Sequence, residues 1–190
     1  METIIEIDHW IFERINLDWT NRFFDWFFPA ITDLHKNPWF LALTAVLLVL
    51  WVWKHRWIAV RWIFVLALSI GLSDVAAYRV IKPVVNRSRP PESGITVQLR
   101  THKHSGMSFP SNHATNIFAA ATVLSSAFPP FSAAFYFIAF LIAYSRVYVG
   151  VHFPGDVFAG AVLGIALGTL ARKGMEFVEK KTGRSVLHDN

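Results

Sequence analysis

Residues 38–53 read PWFLALTAVLLVLWVW, a run without a charged side chain. A bilayer with a hydrocarbon core about 30 Å thick requires roughly 20 apolar residues per helix, and somewhat fewer suffice when flanking side chains reach the interface. The run therefore predicts a transmembrane helix. Hydrophobic residues make up 54% of the whole chain, and they occur in blocks with the charges collected between them.

Four further apolar blocks follow the first and have similar lengths. They cover residues 57–81, 112–128, 132–149 and 157–171. Every backbone polar group in hydrocarbon needs an internal partner, which helices supply. The five blocks therefore predict an all-α fold, a polytopic membrane bundle of five transmembrane helices over residues 38–173, with a cytoplasmic tail at 174–190.

The segment 1–37 differs from the blocks because aromatic and charged side chains alternate in it. Aromatic rings with interleaved charge suit the headgroup layer, so the segment predicts an amphipathic region lying in the interface. The alternative is a sixth span near 23–34. It would place Asp25 and Asp33 in hydrocarbon, where each charge costs about 2.5 kcal/mol or more.

The orientation follows from the basic residues at the ends of the blocks. Lys54, Arg56 and Arg61 lie at the junction of the first two blocks. The residues that follow the last block include Arg172, Lys173, Lys180, Lys181 and Arg184. The positive-inside rule places these regions in the cytoplasm. With five apolar blocks, we expect a multi-pass protein of the cell (inner) membrane. The loops 82–111 and 150–156 then face the outside or periplasm, although the first is also basic, with Lys82, Arg87, Arg89, Arg100 and Lys103.

Composition excludes several other classes of protein. The formal charge is +5, yet the basic residues lie at block ends and not on one polar face, so a nucleic-acid partner fits poorly. The chain has no cysteine, which excludes disulfides and thiolate chemistry. The stretch His102-Lys103-His104 has no carboxylate cluster beside it, and we interpret it as a solvated loop. We expect neither a metal nor a cofactor.

Two features inside the predicted helices have structural interpretations. Asp74 lies within the second block, and we expect it to bond to Tyr78 or Arg79 on the same helix. Glycines recur every four residues at 160, 164 and 168, a spacing typical of close helix packing. The sequence leaves open whether that contact is internal or between protomers, and it leaves the oligomeric state open.

Three polar clusters lie at the outer ends of the predicted helices. They read KPVVNRSRP at 82–90, PSNH at 110–113 and SRVYVGVHFPGD at 145–156. The topology derived from hydropathy alone brings all three to one face of the membrane. Two independent patterns therefore agree on the position of a site.

The residue types in these clusters suit the binding of an anion and the transfer of a proton. Lys82, Arg89 and Arg146 supply cations that match phosphate oxygens. Ser111 can cap a helix whose first amides form an anion site. His152 and Asp156 are four apart, close enough for the carboxylate to orient the imidazole.

The clusters resemble the signature of the type 2 phosphatidic acid phosphatase superfamily, which is K-x6-RP, then PSGH, then SR-x5-H-x3-D. The first and third are complete here, and Asn112 stands where the family usually has Gly. The resemblance implies that His152 is a nucleophile forming a phosphohistidine, oriented by Asp156, and that His113 is the general acid. It implies phosphate binding by Lys82, Arg89, Ser111, Asn112 and Arg146.

The resemblance further implies a membrane-integral, metal-independent enzyme that hydrolyses a phosphate monoester or diphosphate of a lipid. We expect undecaprenyl diphosphate as the substrate, with phosphatidylglycerophosphate, phosphatidic acid and lipid A as alternatives. Two other classes stay open at this point. A vanadate-dependent haloperoxidase would reuse the same pocket for oxidation, and a non-catalytic membrane scaffold would need no His-His-Asp set.

Overall fold

The computed structural model of this chain describes residues 2–102 and 105–182. Over these ranges the chain is helical and contains no strand, which confirms the predicted all-α class. The helices are α1 Glu2–Glu13, α2 Arg22–Thr32, α3 Pro38–Asp74, α4 Lys82–Val85, α5 Asn112–Ala127, α6 Ser132–Tyr148 and α7 Pro154–Thr182. A π-helical turn at Val75–Ile81 joins α3 to α4.

Three of the helices begin at side chains that cap their free amides. The Asn37 side-chain oxygen Oδ1 accepts from the amides of Trp39 and Phe40, and Pro38 occupies the first position of α3. Asn21 caps α2 in the same way, and Ser111 caps α5. Caps of this type satisfy donors that have no partner within the helix, so they define where each helix starts.

The helix α3 is interrupted at Arg56, where φ is 46° and ψ is −116°. Leu47 and Leu66, on either side of this residue, line the same cavity of about 450 Å³. In a straight helix they would be about 28 Å apart, so the chain folds back at Arg56. Residues 38–55 and 57–74 are therefore two antiparallel helices, in agreement with the first two predicted blocks.

Three stretches of the described chain are long and apolar enough to cross a membrane, namely Pro38–Glu92, Pro129–Tyr148 and Pro154–Lys181. The first contains both helices of the α3 hairpin. Its outer surface is apolar, and Trp39 and Trp53 are 83% and 79% exposed. Side chains of this kind suit contact with lipid, and the chain is a membrane protein.

The predicted crossing at α5 and the alternative sixth span at α2 are both shorter than a bilayer requires. α5 has 16 residues and rises about 24 Å, while α2 has 11 residues and rises about 16 Å. Neither is among the three stretches above. The count of five crossings therefore stays a prediction.

The glycine stripe of α7 packs against α5 within the same chain. A Cβ added at Gly160 would lie 2.7 Å from the carbonyl oxygen of Ser111, and one at Gly168 would lie 2.8 Å from that of Ala119. At Gly164 it would overlap the carbonyl oxygen of Thr115. The contact that the sequence left open is therefore internal.

The first two helices bury one face against the carboxyl-terminal half of the bundle. Phe12 and Phe28 form a buried cluster with Tyr148 and Phe153, and α2 packs along α6. Asn16 adds polar contacts, because its Nδ2 donates to the carbonyl oxygens of Gln98 and Tyr148 at 2.9 and 2.8 Å. The segment 1–37 is thus tied to the loops that carry the polar clusters.

Asp74 pairs differently from the prediction. Its carboxylate accepts a hydrogen bond of 2.9 Å from Asn116 Nδ2 on α5, and not from Tyr78 or Arg79. The expectation was wrong because it considered only neighbours on one helix.

Residues 174–182 of the predicted tail continue α7, which ends at Thr182. Residues 183–190, including Arg184, lie outside the described residues.

We predict that Gly164→Ala lowers the melting temperature of the detergent-solubilised protein by about 2 °C or more, because an added methyl group overlaps the α5 backbone. Gly174→Ala, on the same helix, is the matched control. Among the described residues, no atom outside the adjacent residues and the nearby backbone of α7 lies within 4 Å of a Cβ added at Gly174. It should be neutral or slightly stabilising. Equal melting temperatures for the two variants would contradict the internal packing of α7 on α5.

Candidate active site

The three polar clusters meet at one end of the bundle. Lys82 starts α4, Ser111 caps α5, Arg146 lies in the last turn of α6 and Asp156 in the first turn of α7. The second cluster contacts both of the others, because the Ser111 amide donates to the Asp156 carbonyl oxygen at 3.0 Å and Lys82 Nζ donates to the Pro110 carbonyl oxygen at 2.8 Å. The predicted convergence of these segments is present in the fold.

His152 is buried, with 2% of its surface exposed, and contacts polar groups through both ring nitrogens. Nε2 lies 3.2 Å from Arg89 Nη1, while Nδ1 lies 3.4 Å from Asp156 Oδ2. A guanidinium can only donate, so Nε2 accepts and the ring proton resides on Nδ1, facing the carboxylate. This tautomer leaves the lone pair of Nε2 directed toward the cationic side.

Burial lowers the pKa of His152 to about 3, although Asp156 favours protonation. The positive charges of Arg89 and Arg146 oppose protonation as well. The imidazole is therefore neutral near pH 7. A neutral, oriented nitrogen beside two guanidinium groups can attack an electrophile that carries negatively charged oxygens.

Asp156 has no exposed surface, and its charge is compensated entirely by protein groups. Oδ2 accepts from the Phe153 amide at 2.9 Å and from the Ser108 hydroxyl. Oδ1 accepts from Arg87 Nη1 at 2.9 Å. This network holds the carboxylate rigidly beside the His152 ring.

Sequence reasoning missed two of these partners as site residues. Arg87 lies inside the first cluster, and its position between Lys82 and Arg89 was a usable signal. Ser108 lies two residues before the second cluster, in a loop with no periodic pattern. Only the tertiary structure brings it to Asp156.

Two of the predicted phosphate-binding cations hold the loop 86–111 in place. Lys82 Nζ donates to the carbonyl oxygens of Met107 and Pro110 at 2.8 Å each and of Ser108 at 3.3 Å. Arg89 donates to the carbonyl oxygens of Gly106 and Val151 at 3.0 and 2.9 Å. Both side chains are buried, and the contacts of Arg89 fix its charge next to His152.

Arg146 is almost fully buried and reaches toward the amino-terminal helices. Its Nη1 donates to Thr32 Oγ1 of α2 at 2.7 Å. Thr32 also lines a cavity of about 500 Å³ between α2, α3, α5 and α6. The guanidinium therefore binds a residue that lines this cavity.

The second cluster also contributes residues to the wall of this cavity. Asn112 and His113 line it, and the His113 ring lies 5.6 Å from that of His35, measured between centroids. The remaining lining residues are Ile31, Leu34, Phe40, Ile70, Asp74, Asn116, Ile117, Ala120 and Ile142. A mostly apolar cavity with a few polar groups beside a cationic pocket suits an amphiphile whose charged end faces His152.

Asn112 replaces the expected glycine without strain on the backbone. It is the first residue of α5, and it is not among the described non-glycine residues with positive φ, Arg56 and Asn86. The position therefore requires no conformation reserved for glycine. Its Oδ1 is buried without a hydrogen-bond partner in the described part of the chain.

Within residues 2–102 and 105–182, no group of three or more His, Cys, Asp or Glu side chains is arranged to hold a metal ion. His102 is exposed, while Lys103 and His104 lie outside these ranges. The described site therefore consists of cations, one buried carboxylate and two imidazoles.

Known proteins named as phosphatases are similar to this chain over most of its length. The lipid A 4'-phosphatase of Bacteroides thetaiotaomicron is 31% identical over 149 residues, which are 75% of this chain and 65% of that protein. The undecaprenyl-diphosphatase of Sulfolobus acidocaldarius is 34% identical over 65% of this chain and 57% of its own length. The chain thus spans less than two thirds of these relatives.

A solved structure, that of LpxE from Aquifex aeolicus, superposes with a TM-score of 0.73. It is 33% identical, and the match covers 88% of this chain and 95% of that one. Residues 59–179 match the PAP2 superfamily, and this range contains all three polar clusters. The chain belongs to the PAP2 superfamily.

Proposed function

We propose that this chain is a membrane lipid phosphatase that removes a terminal phosphate, without a metal ion, through a phosphohistidine at His152. The observation that carries the proposal is the His152 ring, held neutral between Asp156 and Arg89 in a buried cationic pocket. The relatives named above are phosphatases of lipids, which supports the same activity.

In the first step, His152 Nε2 forms a bond to phosphorus while the bond from phosphorus to the leaving oxygen breaks. Asp156 stabilises the positive charge that develops on the ring, as an orienting carboxylate does in other imidazole-based sites. To Arg89, Arg146 and Lys82 we assign the stabilisation of the charge on the equatorial oxygens. Ser111, Asn112 and the first amides of α5 add hydrogen-bond donors.

His113 serves as the general acid. It donates a proton to the leaving oxygen and, in the second step, takes one from the water that hydrolyses the phosphohistidine. Its place on the wall of the 500 Å³ cavity supports this role, because the leaving group then lies in the cavity with the lipid chains beyond it.

The membrane arrangement proposed here has five crossings. These are the two helices of the α3 hairpin, α5, α6 and α7, with residues 1–37 in the outer interface and 174–190 in the cytoplasm. α5 is short, but it is covered by α3, α6 and α7, so its ends need not reach both lipid surfaces. The site then faces the outside of the inner membrane, in accordance with the basic residues at 54–61 and 172–181.

Among lipids, undecaprenyl diphosphate is the substrate we propose first, because an outward-facing site is where this carrier is released after cell-wall polymer assembly. Lipid A is the second candidate, since the relative from Bacteroides thetaiotaomicron carries that name and matches 75% of this chain. Phosphatidylglycerophosphate and phosphatidic acid follow. A scaffold or haloperoxidase role does not explain the mostly apolar cavity beside His113.

We predict that His152→Ala abolishes phosphate release, because no other described side chain can replace the nucleophile. His113→Ala should slow hydrolysis of a lipid phosphate about 100-fold or more, yet slow that of p-nitrophenyl phosphate far less, since its leaving group needs little protonation. Exposed His102→Ala is the matched control and should behave as wild type. Wild-type rates in His152→Ala protein would exclude the mechanism.

We expect full activity in excess chelator and inhibition by vanadate, which adopts the five-coordinate geometry of the transition state. The measurement is phosphate release with and without EDTA, Mg²⁺ and vanadate. Loss of activity in chelator that Mg²⁺ restores would contradict the proposal. Vanadate-dependent oxidation of bromide, without phosphate release, would assign the haloperoxidase class instead.

The substrate is tested by kcat/KM for each of the four lipids in matched detergent micelles, with His152→Ala protein as the blank. We expect at least a tenfold preference for undecaprenyl diphosphate, equivalent to ~1.4 kcal/mol in transition-state binding. A tenfold preference for lipid A would replace the first candidate by the second. Equal rates would mean that the pocket recognises only the phosphate.

A further inference from the structure

Asp8, on the amino-terminal helix α1, contacts the turn that carries the proposed nucleophile. Its Oδ1 accepts from the Gly155 amide at 2.7 Å, and its Oδ2 accepts from Arg87 Nη2 at 2.6 Å. The carboxylate is only 12% exposed. Asp8 lies outside the range 59–179 that matches the superfamily, so the family signature gives no reason for these contacts.

Arg87 is shared between two carboxylates. Its Nη2 donates to Asp8 and its Nη1 donates to Asp156 Oδ1 at 2.9 Å. The guanidinium also lies over the Phe153 ring, with its central carbon 4.1 Å from the centroid. The planar fork is therefore fixed in one orientation, and each of its two ends serves a different acid.

The charges of this group decide how strongly Asp156 acts on His152. Asp8, Arg87 and Asp156 are two carboxylates and one guanidinium, so together they carry one net negative charge. Without the charge of Asp8, Arg87 would neutralise Asp156 and the net charge would be zero. The positive charge that develops on His152 during attack would then face a carboxylate whose charge Arg87 fully offsets.

We propose that Asp8 is a positioning residue for the reaction. Its charge offsets that of Arg87, which leaves a net negative charge beside His152, and it pins the turn at Gly155. This role rests on the proposed function, because it requires that His152 becomes positively charged. It assigns a catalytic task to the amino-terminal segment, which hydropathy alone places in the membrane interface.

The test compares Asp8→Asn, which keeps the shape and removes the charge, with Asp8→Glu, which keeps the charge. We expect Asp8→Asn to lower kcat by about tenfold or more with KM within about twofold, because the phosphate-binding cations are unchanged. Asp8→Glu should recover most of the lost kcat. Asp18→Asn is the matched control, since Asp18 pairs with Arg14 in the same segment at an exposed site.

Melting temperatures and quenched-flow trapping of the phosphoenzyme complete the experiment. A positioning role predicts slower formation of phosphohistidine in Asp8→Asn protein at an unchanged melting temperature. Unchanged kcat in Asp8→Asn, or equal losses in Asp8→Asn and Asp8→Glu together with a lower melting temperature, would overturn the proposal. If wild-type protein forms no phosphohistidine, the proposed function itself fails and the role of Asp8 falls with it.

Discussion

The carboxylate of Asp156 is a negative charge without access to water, and the arrangement of the site depends on compensating it. An unpaired ion in a protein interior is strongly unfavourable, so each of its donors must be in place for the fold to be stable. The donors come from different parts of the chain: Arg87 and Ser108 from the long loop, and the Phe153 amide from the turn itself. One buried charge thereby orders segments far apart in sequence.

Helix packing brings these segments to the charge. The glycines of α7 let its backbone approach α5, and the same contact places the Ser111 carbonyl against Gly160. The start of α5 therefore lies against the start of α7, and the Ser111 amide reaches the Asp156 carbonyl. Close packing of two apolar helices and assembly of a polar site at their ends are consequences of one contact.

The amino-terminal segment contributes more than attachment to the membrane. Asn16 binds the carbonyl oxygen of Tyr148, at the end of α6 and before the turn that carries His152, and Arg100 from the long loop binds the same oxygen. Asp25 accepts from the Tyr148 hydroxyl at 2.7 Å. Side chains from residues 1–37 thus brace the segment that carries His152, and a fragment lacking them would leave that segment without these contacts.

Much of this could be predicted from the sequence, because the relevant signals are local. Hydropathy predicted helices at all five apolar blocks, since burial in hydrocarbon depends on the composition of each block. The residue types and spacing in the three clusters predicted a site that contains His152, Asp156, Lys82, Arg89 and Arg146. The family assignment follows from the same clusters, and the match over residues 59–179 confirms it.

Other features were decided only by the tertiary structure. The pairing of Asp74 with Asn116, the approach of Ser108 to Asp156 and the contact of Asp8 with Arg87 join residues 42, 48 and 79 positions apart. No local periodicity encodes such pairs, because they depend on how complete helices pack and which buried charges need partners. The sequence by itself determined the helices and the residue types of the candidate site, because these are local properties, whereas packing determined which side chains support it.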